Sequence, residues 1–153
     1  ALHPDTCFLF LGEGEEEERL KSMVAEAGLE QHFAFAGYRE NVGEILTVID
    51  ILLHPATMEG FANVAMQALA AAKPVVSSAV GGMPEIVLDG ETGILVPPQN
   101  PAAIVDALDK LLSDSSLRDK LGRNGQQRVK EKFSVENMVA NTLSVYEKIL
   151  AEN

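Results

Sequence analysis

The sequence predicts an α/β protein built on a Rossmann-like parallel sheet with helices on both faces. Short, wholly apolar runs alternate along the chain with segments in which apolar residues recur at helical spacing. Each apolar run ends in glycine, proline or small polar residues, as strands do where they stop at one edge of a sheet. Strands that are apolar throughout are typical of parallel sheets buried on both faces, with right-handed connections between them.

Five apolar runs are the predicted strands. The third one stops at His54-Pro55, because proline has no N–H to give to a neighbouring strand. Cys7 lies in the first run, and we interpret it as a buried core thiol, since a single cysteine cannot form an internal disulfide. The strands are Thr6–Leu11, His32–Gly37, Ile51–Leu53, Pro74–Ser78 and Gly93–Val96.

The segments between and after these strands are predicted helices. Negative charge at Glu15–Glu18 favours a helix start, and Gly28 favours its end. Asn100 and Ser134 are predicted to cap two later helices. We expect one domain over residues 1–153, with the last helices, about residues 115–152, packing across it. The other predicted helices are Asn41–Val48, Phe61–Ala72, a short one from Pro84 to Val87, and Asp114–Lys132.

Composition and charge exclude several functions. The chain has 153 residues, of which 46% are hydrophobic, enough for a core of its own. Its 12 Lys and Arg against 23 Asp and Glu give a formal charge of −11, which opposes binding to nucleic acid or to anionic membranes. No apolar run approaches the roughly 20 residues of a membrane span, and residues 1–4 have neither the basic region nor the apolar core that a signal peptide needs. We therefore expect a cytoplasmic protein without membrane contact.

Four loops follow predicted strands and should form one rim. In parallel sheets ligands bind outside the carboxyl ends of the strands. His3, His32 and His54 show no metal-ligand spacing, so no metal site is predicted. The loops are Gly12–Gly14, Tyr38–Arg39, Pro55–Phe61 and Gly81–Pro84.

The stretch from His54 to Pro74 is the centre of the prediction. It reads as the end of a strand, a tight loop at Glu59-Gly60 and an alanine-rich helix. The N–H groups of that helix's first turn, with the positive end of its dipole, would face the carboxyl end of the strand, where anions bind favourably.

Three signatures in order resemble the carboxyl-terminal half of a family 4 retaining glycosyltransferase of the GT-B fold. The resemblance runs from about Pro4 to the end of the chain. It is carried by Glu59-Gly60-Phe61 with the apolar helix and Lys73–Val76, by Val80–Val87, and by Asp89–Pro98.

The resemblance implies a nucleotide diphosphate sugar as donor and no metal. Glu59 matches the family's first motif glutamate, which lies against the donor sugar and stabilises positive charge at the anomeric carbon. From the residues alone, Glu59 could instead cap the following helix. Fixed N–H dipoles would stabilise the charge that grows on the leaving diphosphate. The diphosphate would lie near Gly60, Phe61, Ala62, Asn63 and Val64.

Two further loops acquire a role from the resemblance. The turn with Gly12 and Gly14 would line the nucleotide cleft, although Gly-x-Gly alone is a weak sign of phosphate binding. Tyr38 and Arg39 fall in the loop that contacts the donor's base, largely through backbone groups. An ordinary surface loop is the alternative reading of these two side chains.

The chain departs from the family pattern at the second motif glutamate, where it has Gln67. That carboxylate holds the ribose hydroxyls, and an amide offers one acceptor without charge. The loss should cost about 1 to 3 kcal/mol, or roughly tenfold to a hundredfold in affinity. Ala62 and Ala56 also replace the glycine and serine that are common in the family.

The resemblance also implies that a larger protein surrounds this chain. The family's first strand-helix unit of this domain, with the arginine and lysine that clamp the diphosphate, and the acceptor-binding domain would both precede Pro4. The chain alone should therefore transfer sugar poorly. The predicted function is donor binding in a retaining transferase that moves a hexose-type sugar to an acceptor hydroxyl. The alternatives are a degenerate regulatory or assembly module, which Gln67 favours, and a GT-B epimerase or phosphorylase.

Overall fold

A computed structural model of the chain describes residues 3–151. Strands and helices alternate along it as the sequence predicts, and the α/β class is confirmed. The strands are β1 (Phe8–Phe10), β2 (Phe33–Phe35), β3 (Leu52–His54), β4 (Val75–Ser78) and β5 (Gly93–Val96). The helices are α1 (Glu17–Glu26), α2 (Val42–Val48), α3 (Asn63–Ala70), α4 (Met83–Ile86), α5 (Pro101–Ser113), α6 (Ser115–Lys132) and α7 (Val135–Ala151), with a 3-10 turn at Glu30–His32.

All strand pairs are parallel, and they form two sheets rather than one. β1 pairs with β2, whereas β3, β4 and β5 form a three-stranded sheet in that order. The chain likewise divides into two compact units, one ending at Val42 and one beginning at Gly43. The single domain expected over residues 1–153 stays a prediction, and the two units are described separately.

The two-stranded sheet of the first unit is only partly covered by other side chains. Stacked phenylalanines join its two strands, with ring centroids 5.0 Å apart between Phe8 and Phe33. Leu9 is nevertheless 43% exposed, and Cys7 is also exposed. The predictions of a first strand buried on both faces and of a buried thiol are therefore wrong. An apolar run indicates a strand, but its burial depends on what covers it, and α1 contributes no buried residue in this unit.

The second unit contains the core. All four residues of β4 are buried, as predicted for a central parallel strand. Val76 of β4 packs with residues of β5, α5 and α6. The complete burial of β4, including its two serines, is thus explained by neighbours on both edges and side chains on both faces. The buried members of this cluster are Val76, Val96, Ala107, Leu111 and Leu121.

Two glycines let α6 approach α3 closely. A Cβ on Gly122 would lie 2.0 Å from the carbonyl oxygen of Ala72, and one on Gly125 would lie 2.5 Å from Leu69 Cδ2. Ala72 itself has a φ of 57°, so the chain turns sharply after α3. Gln126 strengthens this contact, since its Nε2 donates to the Ala70 carbonyl at 2.9 Å. The backbone behind α3 is therefore held in place from α6.

The two predicted caps, Asn100 of α5 and Ser134 of α7, are confirmed, and Asp114 is a further cap that was not predicted. Asn100 Oδ1 accepts from the Ala103 N–H at 3.1 Å, and Ser134 Oγ accepts from the Asn137 N–H at 3.2 Å. Asp114 Oδ1 accepts from the Leu117 N–H at 2.9 Å, so this residue is the cap of α6 and not its first residue. These short polar side chains fix where each helix begins, because they replace the hydrogen bonds that a first turn lacks.

The last helix is exposed along its length. Helix α7 has no buried residue, and its large apolar side chains are 46% to 76% exposed. Helix α6 contributes buried residues to the core and α7 contributes none, and the packing of the last helices across the domain stays a prediction. An apolar stripe predicts that a helix buries one face, and it does not specify the surface that covers it. No helix of residues 3–151 is long and apolar enough to cross a membrane.

Candidate functional site

The carboxyl end of β3 carries a pair of ionisable side chains. His54 Nε2 lies 3.1 Å from Glu59 Oε2 across the loop that separates β3 from α3. The two side chains are 23% and 27% exposed, so water reaches the pair only partly. The sequence analysis considered His54 only as a metal ligand and rejected that role, and it missed this partner. The five-residue spacing alone carries no signal, because the contact depends on how the loop folds back over the strand.

The backbone of Glu59 and Gly60 is held by the loop after β4. The Gly82 N–H donates to the Gly60 carbonyl at 2.8 Å. A Cβ on Gly81 would lie 1.6 Å from the Glu59 carbonyl oxygen, and Gly81 has a positive φ of 51°. Only glycine meets both conditions. The predicted neighbourhood of the Pro55–Phe61 and Gly81–Pro84 loops is thus present in the structure.

The amino end of α3 is not capped by a side chain. Its N-cap residue is Ala62, and no side chain accepts a hydrogen bond there, unlike at α5, α6 and α7. The alternative role of Glu59 as the cap of this helix is therefore wrong. The N–H groups of Asn63 and Val64 belong to the first turn, in which a helix offers no carbonyl partner of its own. Asn63 is exposed and Val64 is half-buried.

Gln67 lies one turn further along α3, on the same face as Asn63. Both side chains are exposed, whereas Ala65, Ala68 and Leu69 turn toward the core. The alanine-rich helix is thus buried on one side and leaves a polar strip on the other. This strip begins next to the Glu59 loop and ends at Gln67.

A contact between two aromatic rings connects the loop between β3 and α3 to the carboxyl end of α6. Phe61 and Phe133 meet edge to face, with ring centroids 6.2 Å apart. The Arg128 guanidinium lies 5.6 Å from the centre of the Phe133 ring. Arg128 also donates to the carbonyls of Glu85 and Ile86, at 2.6 and 3.2 Å. The sequence analysis missed these links, because the contacts of Phe61 with Phe133 and of Arg128 with the carbonyls of α4 join residues more than 40 positions apart.

In the first unit the loops after β1 and β2 lie together. The Gly12 N–H donates to the Gly37 carbonyl at 2.8 Å, and the Tyr38 N–H donates to Glu13 Oε1 at 3.3 Å. Gly12 has a positive φ of 114°. Glu13 is a further residue that the sequence analysis did not single out. Gly14, Tyr38 and Arg39 are exposed. That these loops share one rim with Glu59 stays a prediction.

Residues 3–151 contain no group of three His, Cys, Asp or Glu side chains placed to hold a metal ion. His54 and Glu59 are thus a two-residue cluster, held at the end of β3 beside an uncapped helix.

Comparison with known proteins places this arrangement in a family. Residues 1–128 match the model of the glycosyl transferases group 1. The chain therefore belongs to the group 1 glycosyltransferases, and the resemblance inferred from the sequence is confirmed. Over 149 residues it is 29% identical to N-acetyl-alpha-D-glucosaminyl L-malate synthase of Bacillus anthracis, covering 97% of this chain and 39% of that protein.

Solved structures support the same fold. Sucrose-phosphate synthase from Thermosynechococcus elongatus superposes with a TM-score of 0.83 at 30% identity, over 95% of this chain and 39% of that one. Anabaena Alr3699/HepE, solved in complex with UDP-glucose, superposes with a TM-score of 0.84 at 26% identity, over 93% of this chain and 42% of that one. The Rossmann-like fold of a GT-B carboxyl-terminal domain is confirmed. The chain spans about 40% of the length of the curated relatives it matches.

Proposed function

We propose that this chain is the donor-binding part of a retaining glycosyltransferase that works in the cytoplasm on a nucleotide diphosphate sugar. The single observation that carries the proposal is the Glu59 carboxylate, held at the carboxyl end of β3 beside the uncapped first turn of α3. A negative side chain for the sugar and a set of free N–H dipoles for the diphosphate then lie next to each other. The solved relative with UDP-glucose supports this class of donor.

The chemistry assigned to these groups is transfer of a hexose-type sugar with retained anomeric configuration. The bond between the anomeric carbon and the diphosphate oxygen breaks, and its electron pair leaves with the diphosphate. An acceptor hydroxyl forms the new bond to the same carbon and gives its proton to the departing diphosphate oxygen. Positive charge at the anomeric carbon is stabilised by Glu59, and negative charge on the diphosphate by the N–H groups of Asn63 and Val64.

Because backbone groups would stabilise the charge on the diphosphate, the proposed reaction needs no metal ion. Fixed N–H dipoles do not reorganise during the reaction and can replace a divalent cation at the leaving group. Gly60 to Val64 and the exposed face of α3 as far as Gln67 would follow the donor from sugar to ribose. Gly12, Gly14, Tyr38 and Arg39 are proposed as nucleotide contacts from the first unit. The acceptor belongs to the amino-terminal domain proposed to complete the protein.

Calorimetric titration with UDP, GDP and ADP, first without metal and then with magnesium, tests the proposal. One nucleotide should bind without metal, and its identity names the donor class. Asn63→Asp should weaken this binding by about tenfold, because it adds a negative charge where the diphosphate is proposed to lie. Asn141→Asp on α7 makes the same charge change far along the chain and is the matched control. Equal effects of the two variants, or binding that requires magnesium, would contradict the assignment.

A second function has one observation in its favour. Gln67 stands where the family has a carboxylate for the ribose. Asn63, its exposed neighbour one turn earlier on α3, is also neutral and does not replace the missing negative charge. A non-catalytic GT-B module with a regulatory or assembly role would tolerate this change. Such a protein would bind none of the three nucleotides in its complete form. Nucleotide binding together with release of nucleotide from the matching sugar donor would exclude it.

A further inference from the structure

The contact between His54 and Glu59 holds the Glu59 side chain in the proposed sugar site. A glutamate side chain has three rotatable bonds, and its carboxylate oxygen Oε2 meets His54 Nε2 at 3.1 Å. An ionised carboxylate can only accept hydrogen bonds, so the proton of this contact belongs to Nε2 of the imidazole. With an ionised Glu59 the contact requires a proton on Nε2 of His54, and it gives the Glu59 carboxylate one orientation.

His54 is itself held more firmly than a loop residue. It is the last residue of β3 and pairs in register with Ser77 of β4. Ser77 is completely buried, and its Oγ donates to the His54 carbonyl at 2.9 Å. The imidazole therefore projects from the ordered sheet, whereas Glu59 lies on the loop that follows. The hydrogen bond from His54, which is held in the sheet, therefore sets the orientation of the Glu59 side chain.

We propose that His54 is the positioning residue of Glu59, holding its carboxylate in the orientation that faces the donor sugar. The inference rests on the proposed function. Glu59 is then fixed twice, through its backbone by Gly81 and Gly82 and through its side chain by His54. A carboxylate fixed before the donor binds need not be ordered during the reaction, so loss of His54 should slow the chemical step more than it weakens donor binding.

The test uses the complete protein and UDP-glucose, GDP-mannose and ADP-glucose as donors, with water as acceptor. His54→Leu should lower kcat for nucleotide release by about tenfold to a hundredfold, the range for losing a hydrogen bond to a charged group. The donor KM and the Kd of the free nucleotide should change less than about threefold. His54→Gln, whose amide N–H can donate to the same oxygen, should recover part of kcat.

His32→Leu is the matched control variant. His32 is also half-buried, and its Nδ1 lies 3.0 Å from a backbone oxygen, that of Thr6. It touches no group placed in the proposed site, so its replacement should leave kcat unchanged. If His54→Leu raises KM and the nucleotide Kd as much as it lowers kcat, the residue merely supports the loop and the inference is overturned.

Nitrogen NMR of the histidine side chains gives a readout that needs no turnover. His54 should show the Nε2–H tautomer in the wild type, and Glu59→Ala should shift its ring signals while leaving those of His32 in place. Absence of that shift overturns the inference. Turnover that is unaffected by His54→Leu overturns it alone, whereas a wild type that releases no nucleotide from any donor overturns the proposed function and this inference together.

Discussion

The Gly82 N–H donates to the Gly60 carbonyl oxygen at 2.8 Å, and this hydrogen bond joins the loop after β3 to the loop after β4. The two loops are separated by the whole of α3 in sequence. Their contact brings the Gly81-Gly82 pair against the backbone of Glu59, the residue for which a catalytic role is proposed. Glycine at these positions thus serves the geometry of the site as well as the turn.

Gly81→Ala is predicted to disrupt this contact. The new Cβ would lie 1.6 Å from the Glu59 carbonyl oxygen, at a φ of 51° that alanine adopts reluctantly. Gly90→Ala is the matched control, because Gly90 has a φ of 72° and open space around its Cβ position. We expect Gly90→Ala to cost about 1 kcal/mol of unfolding free energy and Gly81→Ala about 1 to 3 kcal/mol more. Urea denaturation measures both, and equal costs would contradict the close approach.

Gly122→Ala is predicted to destabilise the protein although it improves helix propensity. In an open helix this change stabilises by roughly 1 kcal/mol, but here the Cβ would lie 2.0 Å from the Ala72 carbonyl oxygen. We expect a net loss of about 1 to 3 kcal/mol as α6 moves away from α3. Gly43→Ala in α2, where nothing lies within 4 Å, is the control and should stabilise slightly. A stabilising Gly122→Ala would show that the two helices are not in close contact.

Local signals in the sequence were sufficient for most of the fold. Strand β5 begins at Gly93 and ends at Val96, as predicted, because the apolar run is short and has turn residues on both sides. Asn100 and Pro101 fix the start of α5. The Asn100 side chain accepts a hydrogen bond from the first turn, and the proline ring holds the backbone angle that a helix start needs. Such signals act within a few residues, so they can be read before the fold is known.

Burial and side-chain partners could not be read in the same way. Cys7 and the stripe of α7 are apolar and exposed, because burial depends on a covering surface that the pattern does not name. The site shows the same division. Glu59 was found through its motif, whereas His54 was missed because its contact depends on the folded loop. Gly122 belongs to a polar helix pattern that gives no hint of its partner α3.

The cap of α6 is predicted to make stability depend on pH. The pKa of Asp114 lies below its usual value of 3.8, because the Ser116 hydroxyl and then the Leu117 N–H donate to its carboxylate. A lowered pKa in the folded state means that the ionised cap stabilises above pH 3.8 and that this contribution is lost as the pH falls through the folded pKa. The urea midpoint of the wild type should therefore fall toward that of Asp114→Asn as the pH is lowered from 6 to about 2.5.

Asp119→Asn on the same helix is the control for this prediction. It makes the same change in net charge without altering the cap of α6. The difference between the wild type and Asp114→Asn should shrink with falling pH by more than the difference between the wild type and Asp119→Asn. Parallel behaviour of the two variants would assign the effect to net charge rather than to the cap.

Gln67→Glu is predicted to tighten nucleotide binding. The side chain is exposed on α3, one turn beyond Asn63, where the family resemblance implies a carboxylate that accepts hydrogen bonds from both ribose hydroxyls. Replacing the neutral amide with a charged acceptor should lower the Kd of the bound nucleotide by roughly tenfold to a hundredfold. Titration calorimetry measures this against Asn141→Asp, which adds the same charge on α7. The sign is informative, because the same charge at Asn63 should weaken binding by repelling the diphosphate, whereas at Gln67 it meets hydroxyl donors. If Gln67→Glu binds the nucleotide as weakly as the wild type or more weakly, the ribose does not lie beside Gln67 and the assignment is contradicted.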